Sequence, residues 1–523
     1  VGWSGRDASD RDGHADDGWV AGQPLDLRLV PAALTAWSVS AAAIVWGAGV
    51  AVVVGLGAVG LTWLAVRWGD DEGAGVAAAV LAVAAVAGGF GVAVGLRVHQ
   101  VDHHPIGRLY GATGTVEVVP VETPRTISGG RVMFRAALRW VDQAPMSGRV
   151  LVFAPPGFGA VDPGRPATFR AAVGRPDRRD LSVAVLSASG QPSLGEASAV
   201  QHAAQRIRAG FAEAARAVLP ADQAAMLPAL VLGDTSTVTG TTTAQFRTAG
   251  LTHLTAVSGA NVTIVCGALL LSAALIGPRA AVPLAGVGLV GFVIVVQPSA
   301  SVLRAAVMGA VTLLAVLTHR RRQAVPALAA SVIALMLATP ELAVDVGFAL
   351  SVWATAGIVV LAPVWSARLQ GRGWPRPVAA AVSVAVVAQL VTAPLVAGIS
   401  GTVSLVAVAA NLAVAWVIPP ITVLGTAAAV CSTVWPGAAQ LLIRFTGPEL
   451  WWLLSVARRA SALPAAAVPS PSGLAGVVSV ALGGVALTVL WRLRWMRRGL
   501  AAVVLGLLAW ALAGQVVGAV GSA

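Results

Sequence analysis

Apolar stretches of about twenty residues, the length of one membrane crossing, recur along this chain, and they restrict it to a lipid-embedded helical bundle. A helix rises about 1.5 Å per residue, so residues 31–68 as one rod would extend about 57 Å, too long for one crossing. Gly47 and Gly49 offer the break, which gives spans at 31–47 and 50–68, followed by a third at 76–96. Ten more follow at 257–276, 281–296, 300–318, 325–338, 346–362, 378–397, 402–418, 420–434, 474–490 and 500–520, for thirteen in all. Composition agrees, because 57% of the residues are hydrophobic and only 11% charged, against about a quarter charged in soluble domains. The expected fold class is a polytopic α-helical membrane protein of about thirteen spans.

One segment departs from this pattern. Between 107 and 190 apolar content drops, Pro and Gly punctuate the chain, and 113–119, 131–141, 148–153, 167–173 and 181–187 alternate or are β-branched. Five short strands separated by turns fit a small β-barrel, and an OB-like barrel is the natural candidate. Period-two alternation puts Arg131, Met133, Arg135, Ala137 and Arg139 on one face and Val132, Phe134, Ala136 and Leu138 on the other, a basic stripe over an apolar underside. Residues 195–232 follow as amphipathic helices, the first carrying Arg206, Arg208, Glu213 and Arg216, and these either lie on the membrane surface or pack under the barrel. Residues 436–463, with Trp451 and Trp452, read as a helix at the membrane interface.

The chain contains no Lys, so all 35 of its basic residues are Arg, and its net charge is +12. A polyanionic partner and the positive-inside bias of cytoplasmic loops both account for such a charge. The Arg clusters at 319–323, 366–377 and 491–498 then face the cytoplasm, which puts the polar tail 1–30 inside and 97–256 and the C-terminus outside. Residues 1–25 are polar and acid-rich, unlike a cleaved signal peptide. Cys266 and Cys431 lie in apolar spans, so no disulfide framework is expected. Asp102, His103 and His104 match no zinc spacing, and without Lys no Walker A loop exists. No cofactor, metal or ATP chemistry is called for.

Polar groups inside spans are costly, and they mark candidate functional positions. Residues 233–264 run from a Gly- and Thr-rich turn at Asp234 into an apolar helix holding Ser258, Gly259 and Asn261, with His253 just before it. Irregular backbone at membrane depth survives only when buried in protein or lining a wet cavity. Ser258 and Gly259 either cap the helix or offer its N-terminus to phosphate. Arg304 needs water, a carboxylate, carbonyls or phosphate, so an ion pair with Asp345 and contact with substrate are both open. Asp345 in turn suits a helix N-cap. Gln389 with Pro394, and Asn411 with Pro419 and Pro420, mark two proline-broken segments.

In order, these segments resemble the ComEC family of competence proteins. The likeness lies in a GD turn, then a GLxHLxAVSGxxV run at Gly250, Leu251, His253, Leu254, Ala256, Val257, Ser258, Gly259 and Val262, then Phe348, Leu350 and Ser351, then Gln389, Thr392 and Pro394, then Asn411. Thr235 and Ala260-Asn261 depart from the family's usual residues. The resemblance implies a channel for single-stranded DNA in the bacterial cytoplasmic membrane, with a competence core at 233–435, C-terminal helices at 474–520 and DNA delivery, motor and possibly nuclease functions on other proteins. The HxHxDH cluster of the nuclease domain found in many members is absent, so no enzymatic activity is expected of this chain. Arg131, Arg135 and Arg139 would hold phosphates, with Tyr110, Phe134, Trp140, Phe153 or Phe158 as stacking platforms. His253, Ser258, Gly259, Asn261, Arg304, Asp345, Ser351, Gln389 and Asn411 would line the channel. A small-molecule or ion transporter with the β-domain as a lid is the alternative, and a membrane enzyme built on His253 and Asp234 is a third reading.

Overall fold

The computed structural model describes residues 26–67, 73–255, 259–274, 278–296, 300–317 and 324–490. The chain opens with three apolar helices, α1 (Val30–Trp46), α2 (Ala48–Arg67) and α3 (Gly73–Asp102). The first two part at Gly47, whose φ is +91°, one of the two glycines expected to break the run.

Next comes the β-domain, with strands β1 (Thr113–Pro120), β2 (Arg125–Thr126), β3 (Val132–Val141), β4 (Ala144–Ala154), β5 (Ala167–Gly174) and β6 (Ser182–Leu194). Strand β1 pairs antiparallel with both β3 and β5, β3 with β4 and β5 with β6 are antiparallel, and β4 with β6 is parallel. These pairings close a five-stranded barrel, with β2 as a short flap on β3. Val116, Val118, Phe134, Ala136, Val150, Val152, Phe169 and Leu186 fill it. Alternation along β3 holds as the sequence implies, with Val132, Phe134, Ala136 and Leu138 buried, until a bulge between Leu138 and Trp140 shifts the register.

A capping box at Ser198 and Gln201 starts α4 (Ala199–Val218), and α5 (Ala221–Leu232) follows. Helix α4 packs on α5 and on the helices named below, and Phe211, Ala214 and Ala215 enter the main core. The remaining helices are α6 (Gly240–Thr248), α7 (Gly259–Ala274), α8 (Pro278–Val296), α9 (Ala300–Leu317), α10 (Ala324–Ala338), α11 (Val346–Gln370) and α12 (Arg376–Ser400). Strand β7 (Thr402–Ser404), α13 (Ala407–Val414), α14 (Ile418–Cys431), α15 (Pro436–Phe445), α16 (Gly447–Ser461), strand β8 (Ala467–Pro469) and α17 (Gly473–Leu490) complete the described chain.

Among the described residues three helices are long and apolar enough to cross a membrane alone, and shorter apolar helices accompany them. The stretches 402–418 and 420–434, expected as two crossings, are not two spans. They form β7 and then α13 and α14, two helices bent by 54° at their junction. Pro419 and Pro420 occupy the first turn of α14, where a residue without an N–H is accepted but cannot continue a preceding helix. Strand β7 pairs antiparallel with β8, Thr402 opposite Pro469, and Gly398 abuts Val477. The excursion from 402 to 469 therefore leaves and returns at one level of the bundle.

Residues 436–463, expected as one interfacial helix, divide at Thr446 into α15 and α16. Leu450, Leu453, Leu454 and Ala457 of α16 are buried in the main core with α5 and α13, so this segment is built into the bundle. Its Trp451 remains half exposed, as suits an interfacial anchor.

The barrel sits against the bundle through polar contacts. Arg149 pairs with Glu341 in the turn Pro340–Val344, and Arg135 Nη2 lies 3.9 Å from Asp345 Oδ2. At the end of α3, His104 Nε2 hydrogen-bonds the Ser147 carbonyl at 2.6 Å. The same turn is fixed from the other side by Trp37 Nε1, which donates to the Ala343 carbonyl at 2.9 Å, with the Trp37 ring edge-on to Phe348.

Candidate functional site

Among the described residues three polar clusters lie in the helical core, and they hold Gly259, Asn261, Arg304, Ser351, Gln389 and Asn411 of the expected channel residues. The first surrounds Arg304. Only 5% of this residue is exposed, and its guanidinium donates through Nε to Ser351 Oγ at 2.8 Å and through Nη1 to Met308 Sδ at 3.0 Å. Ser351 also lies 3.3 Å from Ser301 Oγ. Nη2 is aimed at the first residue of α7, because a Cβ on Gly259 would come within 2.8 Å of it. Among the described residues no carboxylate lies within ion-pair distance of Arg304. Of the two readings left open for Arg304, the pair with Asp345 is not made: Asp345 Oδ1 caps α11 by accepting from Phe348 N at 2.8 Å, as its sequence position suggested, and its other oxygen faces Arg135. A buried cation with neutral donors and acceptors around it, next to the positive end of a helix dipole, is electrically suited to an anion. Ser301 and Met308 were not singled out from the sequence, although their three- and four-residue spacings from Arg304 put them on its face of α9.

A second cluster is centred on Asn261, buried at 5% exposure. Its Nδ2 donates to the Leu230 carbonyl at 2.9 Å, and Thr422 Oγ1 of α14 lies 3.5 Å from its Oδ1. Leu230, Leu254, Asn261, Ile418, Ile421 and Thr422 enclose a cavity of about 10 Å³, near the lower limit for one water. This cavity is too small for a nucleotide. The Asn261 amide joins three segments of the fold: α5, α7 and the bent pair.

The third cluster locks the turn after α6. Gly250 has φ +71°, and a Cβ there would run into the Ala407 Cβ. Asn411 Nδ2 donates to the Ala407 carbonyl at 2.8 Å and reaches the Gly250 carbonyl at 3.4 Å, while Ser404 Oγ donates to the Thr248 carbonyl at 2.7 Å. Gln389 Nε2 reaches the Ser404 carbonyl at 3.4 Å. Asn411 and Gln389 thus have backbone partners, and both hold the β7–α13 corner against the motif turn. His253 lies on an exposed turn, Thr252–Leu254, and Ser258 lies outside the described residues.

The GD turn is a helix stop. Gly233, at φ +77°, caps α5, and Asp234 Oδ1 accepts from Ser236 N at 3.0 Å. Nearby, Arg208 Nη1 of α4 donates to the Val295 carbonyl at 3.2 Å. Burial pushes the Asp162 carboxyl of the barrel above its ordinary range; Arg208 and Arg165 pull it back, and Asp234 raises it further. Charge thus gathers where barrel, α4 and GD turn meet.

On the barrel, Arg131 and Arg139 are exposed, whereas Arg135 is half-buried between Glu122 Oε2, at 3.4 Å, and Asp345. Arg149, missed in the sequence, joins the same face because it lies opposite Ala137. The hairpin that sets this register turns at Asp142 and Gln143, both at positive φ, without the Asn-Gly signal that advertises such turns. Of the expected stacking rings, Phe134 and Phe158 are fully buried and cannot stack on a base. Phe153 lies under the Arg131 guanidinium at 5.8 Å, Tyr110 OH donates to the Val183 carbonyl at 2.8 Å, and Trp140 is half-buried.

No curated protein and no solved structure matches the chain. The family model described as Competence protein matches residues 230–495, just over half of the chain, from the end of α5 through α17. The matched region holds Arg304, Asn261 and Asn411 with all three clusters around them. The chain belongs to the competence protein family, a membership that points to a role in DNA uptake during competence.

Proposed function

We propose that this protein is a channel that passes single-stranded DNA across the bacterial cytoplasmic membrane during natural transformation. The barrel, which we read as OB-like from its closed five-strand order, captures the strand outside, and the bundle conducts it inward. Arg131, Arg135, Arg139 and Trp140 supply capture, by phosphate neutralisation and stacking. The thirteen spans, with the N-terminus inside and the C-terminus outside, become eleven crossings when α13 and α14 form a re-entrant pair. That change removes an even number and leaves the orientation intact. Delivery, motor and any nuclease functions belong to other proteins.

Arg304 carries this reading. A guanidinium buried against the N-terminus of α7 with no carboxylate partner among the described residues has the chemistry to pass phosphates through an apolar bundle. The closed cavity at Asn261 fits a resting state that opens only with substrate. In a transformable host, Arg304→Gln is expected to abolish arrival of labelled DNA in the cytoplasm while surface capture persists, and Arg304→Lys to retain part of it. Normal uptake by Arg304→Gln removes this residue from the path. Proton- or sodium-coupled solute flux with no DNA phenotype on deleting the gene would instead favour the small-molecule transporter.

A further inference from the structure

The outer face of β3 and β4 carries Arg135 and Arg149 side by side, since Arg149 lies opposite Ala137, two residues along from Arg135. Arg131, just before β3, and Arg139, at its bulge, are exposed on either side of this pair. The middle of this basic face is already occupied. Glu341 meets Arg149, and Asp345 faces Arg135, both from the turn that leads into α11, while Glu122 of the barrel itself also pairs with Arg135 at 3.4 Å. The four side chains that join barrel and turn are about a fifth to two fifths exposed, so water and ions reach them and exchange of partner requires no burial of bare charge. Asp345 has a second task, since its other oxygen caps α11, the helix whose Ser351 holds Arg304. Docking of the barrel and the start of α11, whose Ser351 accepts from Arg304, are thus joined through one carboxylate.

We propose that Arg135–Asp345 and Arg149–Glu341 form a latch that single-stranded nucleic acid opens. Phosphates and the acidic rim compete for the same two guanidiniums, so a strand captured on the β3–β4 face releases the barrel from the helical bundle. The inference rests on the strand-capture reading above and adds a mutual exclusion to it. Phosphate is the stronger competitor, because a strand brings several charges along Arg131, Arg135, Arg149 and Arg139, whereas the rim offers two carboxylates. The latch keeps the barrel seated on the bundle until substrate arrives.

The test uses the full chain in lipid nanodiscs and a fluorescein-labelled oligo(dT) strand, read by anisotropy. Glu341→Gln frees Arg149 and is expected to tighten binding by about fivefold, the scale of one half-exposed ion pair. A second variant, Arg149→Cys with Glu341→Cys in a background of Cys266→Ala and Cys431→Ala, is compared with itself, bridged by a short bis-maleimide or capped by a mono-maleimide. The bridged form, with the barrel held down, is expected to bind the strand more weakly than the capped form. Equal binding by bridged and capped protein, or no tightening in Glu341→Gln, overturns the latch. Failure of the wild-type protein to bind oligo(dT) at all overturns the capture reading and the latch with it.

Discussion

Gly250 and Asn411 illustrate how a polar residue in an apolar helix earns its place without touching a substrate. The left-handed backbone at Gly250 brings its Cα against Ala407, and Asn411 reaches over to the Gly250 carbonyl. Gly250→Ala combines an unfavourable φ with a clash and is expected to destabilise the protein by about 1–3 kcal/mol. A lowered thermal midpoint for the detergent-solubilised protein checks this, and an unchanged midpoint refutes the packing account. At this scale the sequence was informative about which residues matter, because Asn, Gln and Arg are costly in apolar runs. Their partners were not legible. The serine that holds Arg304 lies on α11, with α10 between it and α9, and nothing in a linear run announces that the two helices meet. Nor could hydropathy distinguish Asn411, whose amide serves backbone carbonyls, from Arg304, which has no carboxylate beside it among the described residues.

Helix α11 begins at a residue with two functions. Asp345 caps it by accepting from Phe348 N and also faces Arg135. The two roles separate by substitution: Asp345→Ala loses both and should cost about 0.5–2 kcal/mol, whereas Asp345→Asn keeps an acceptor for the cap and loses only the charge. Thermal unfolding of both variants, compared with Arg135→Gln, shows which role dominates; equal destabilisation by Ala and Asn would argue against the cap. The N-cap itself was readable from Asp before an apolar helix. The bent pair α13–α14 was not, because hydropathy reports the length of an apolar run and says nothing of its direction. Strand β7 is only three residues long, and its partner β8 lies more than sixty residues further along the chain.

For the molecule as a whole, the pairing of β7 with β8 fixes the parity of everything after α12. With α12 crossing the membrane, positions 402 and 470 lie on one side and 372 on the other. Single cysteines placed at Thr402, Ser470 and Arg372, after replacing Cys266 and Cys431, should follow that division toward a membrane-impermeant maleimide in intact cells. Labelling of 402 and 470 from opposite sides would require an odd number of crossings between them and would invert the proposed orientation of α17. The barrel was legible from its alternation because five paired strands repeat a local pattern. Its seat on the bundle was not, since Glu341 and Asp345 are about two hundred residues from the arginines they meet.

The two-stranded ribbon also gathers both ends of the stretch between its strands to one point. Because α12 and α17 touch directly where the stretch departs and returns, a short flexible tether in its place would leave their packing undisturbed. What would vanish, besides the brace on the Gly250 turn, is the share of the main core that α14, α15 and α16 supply through Ile421, Ile443, Leu450 and Leu453, so such a deletion removes assembly and the motif together.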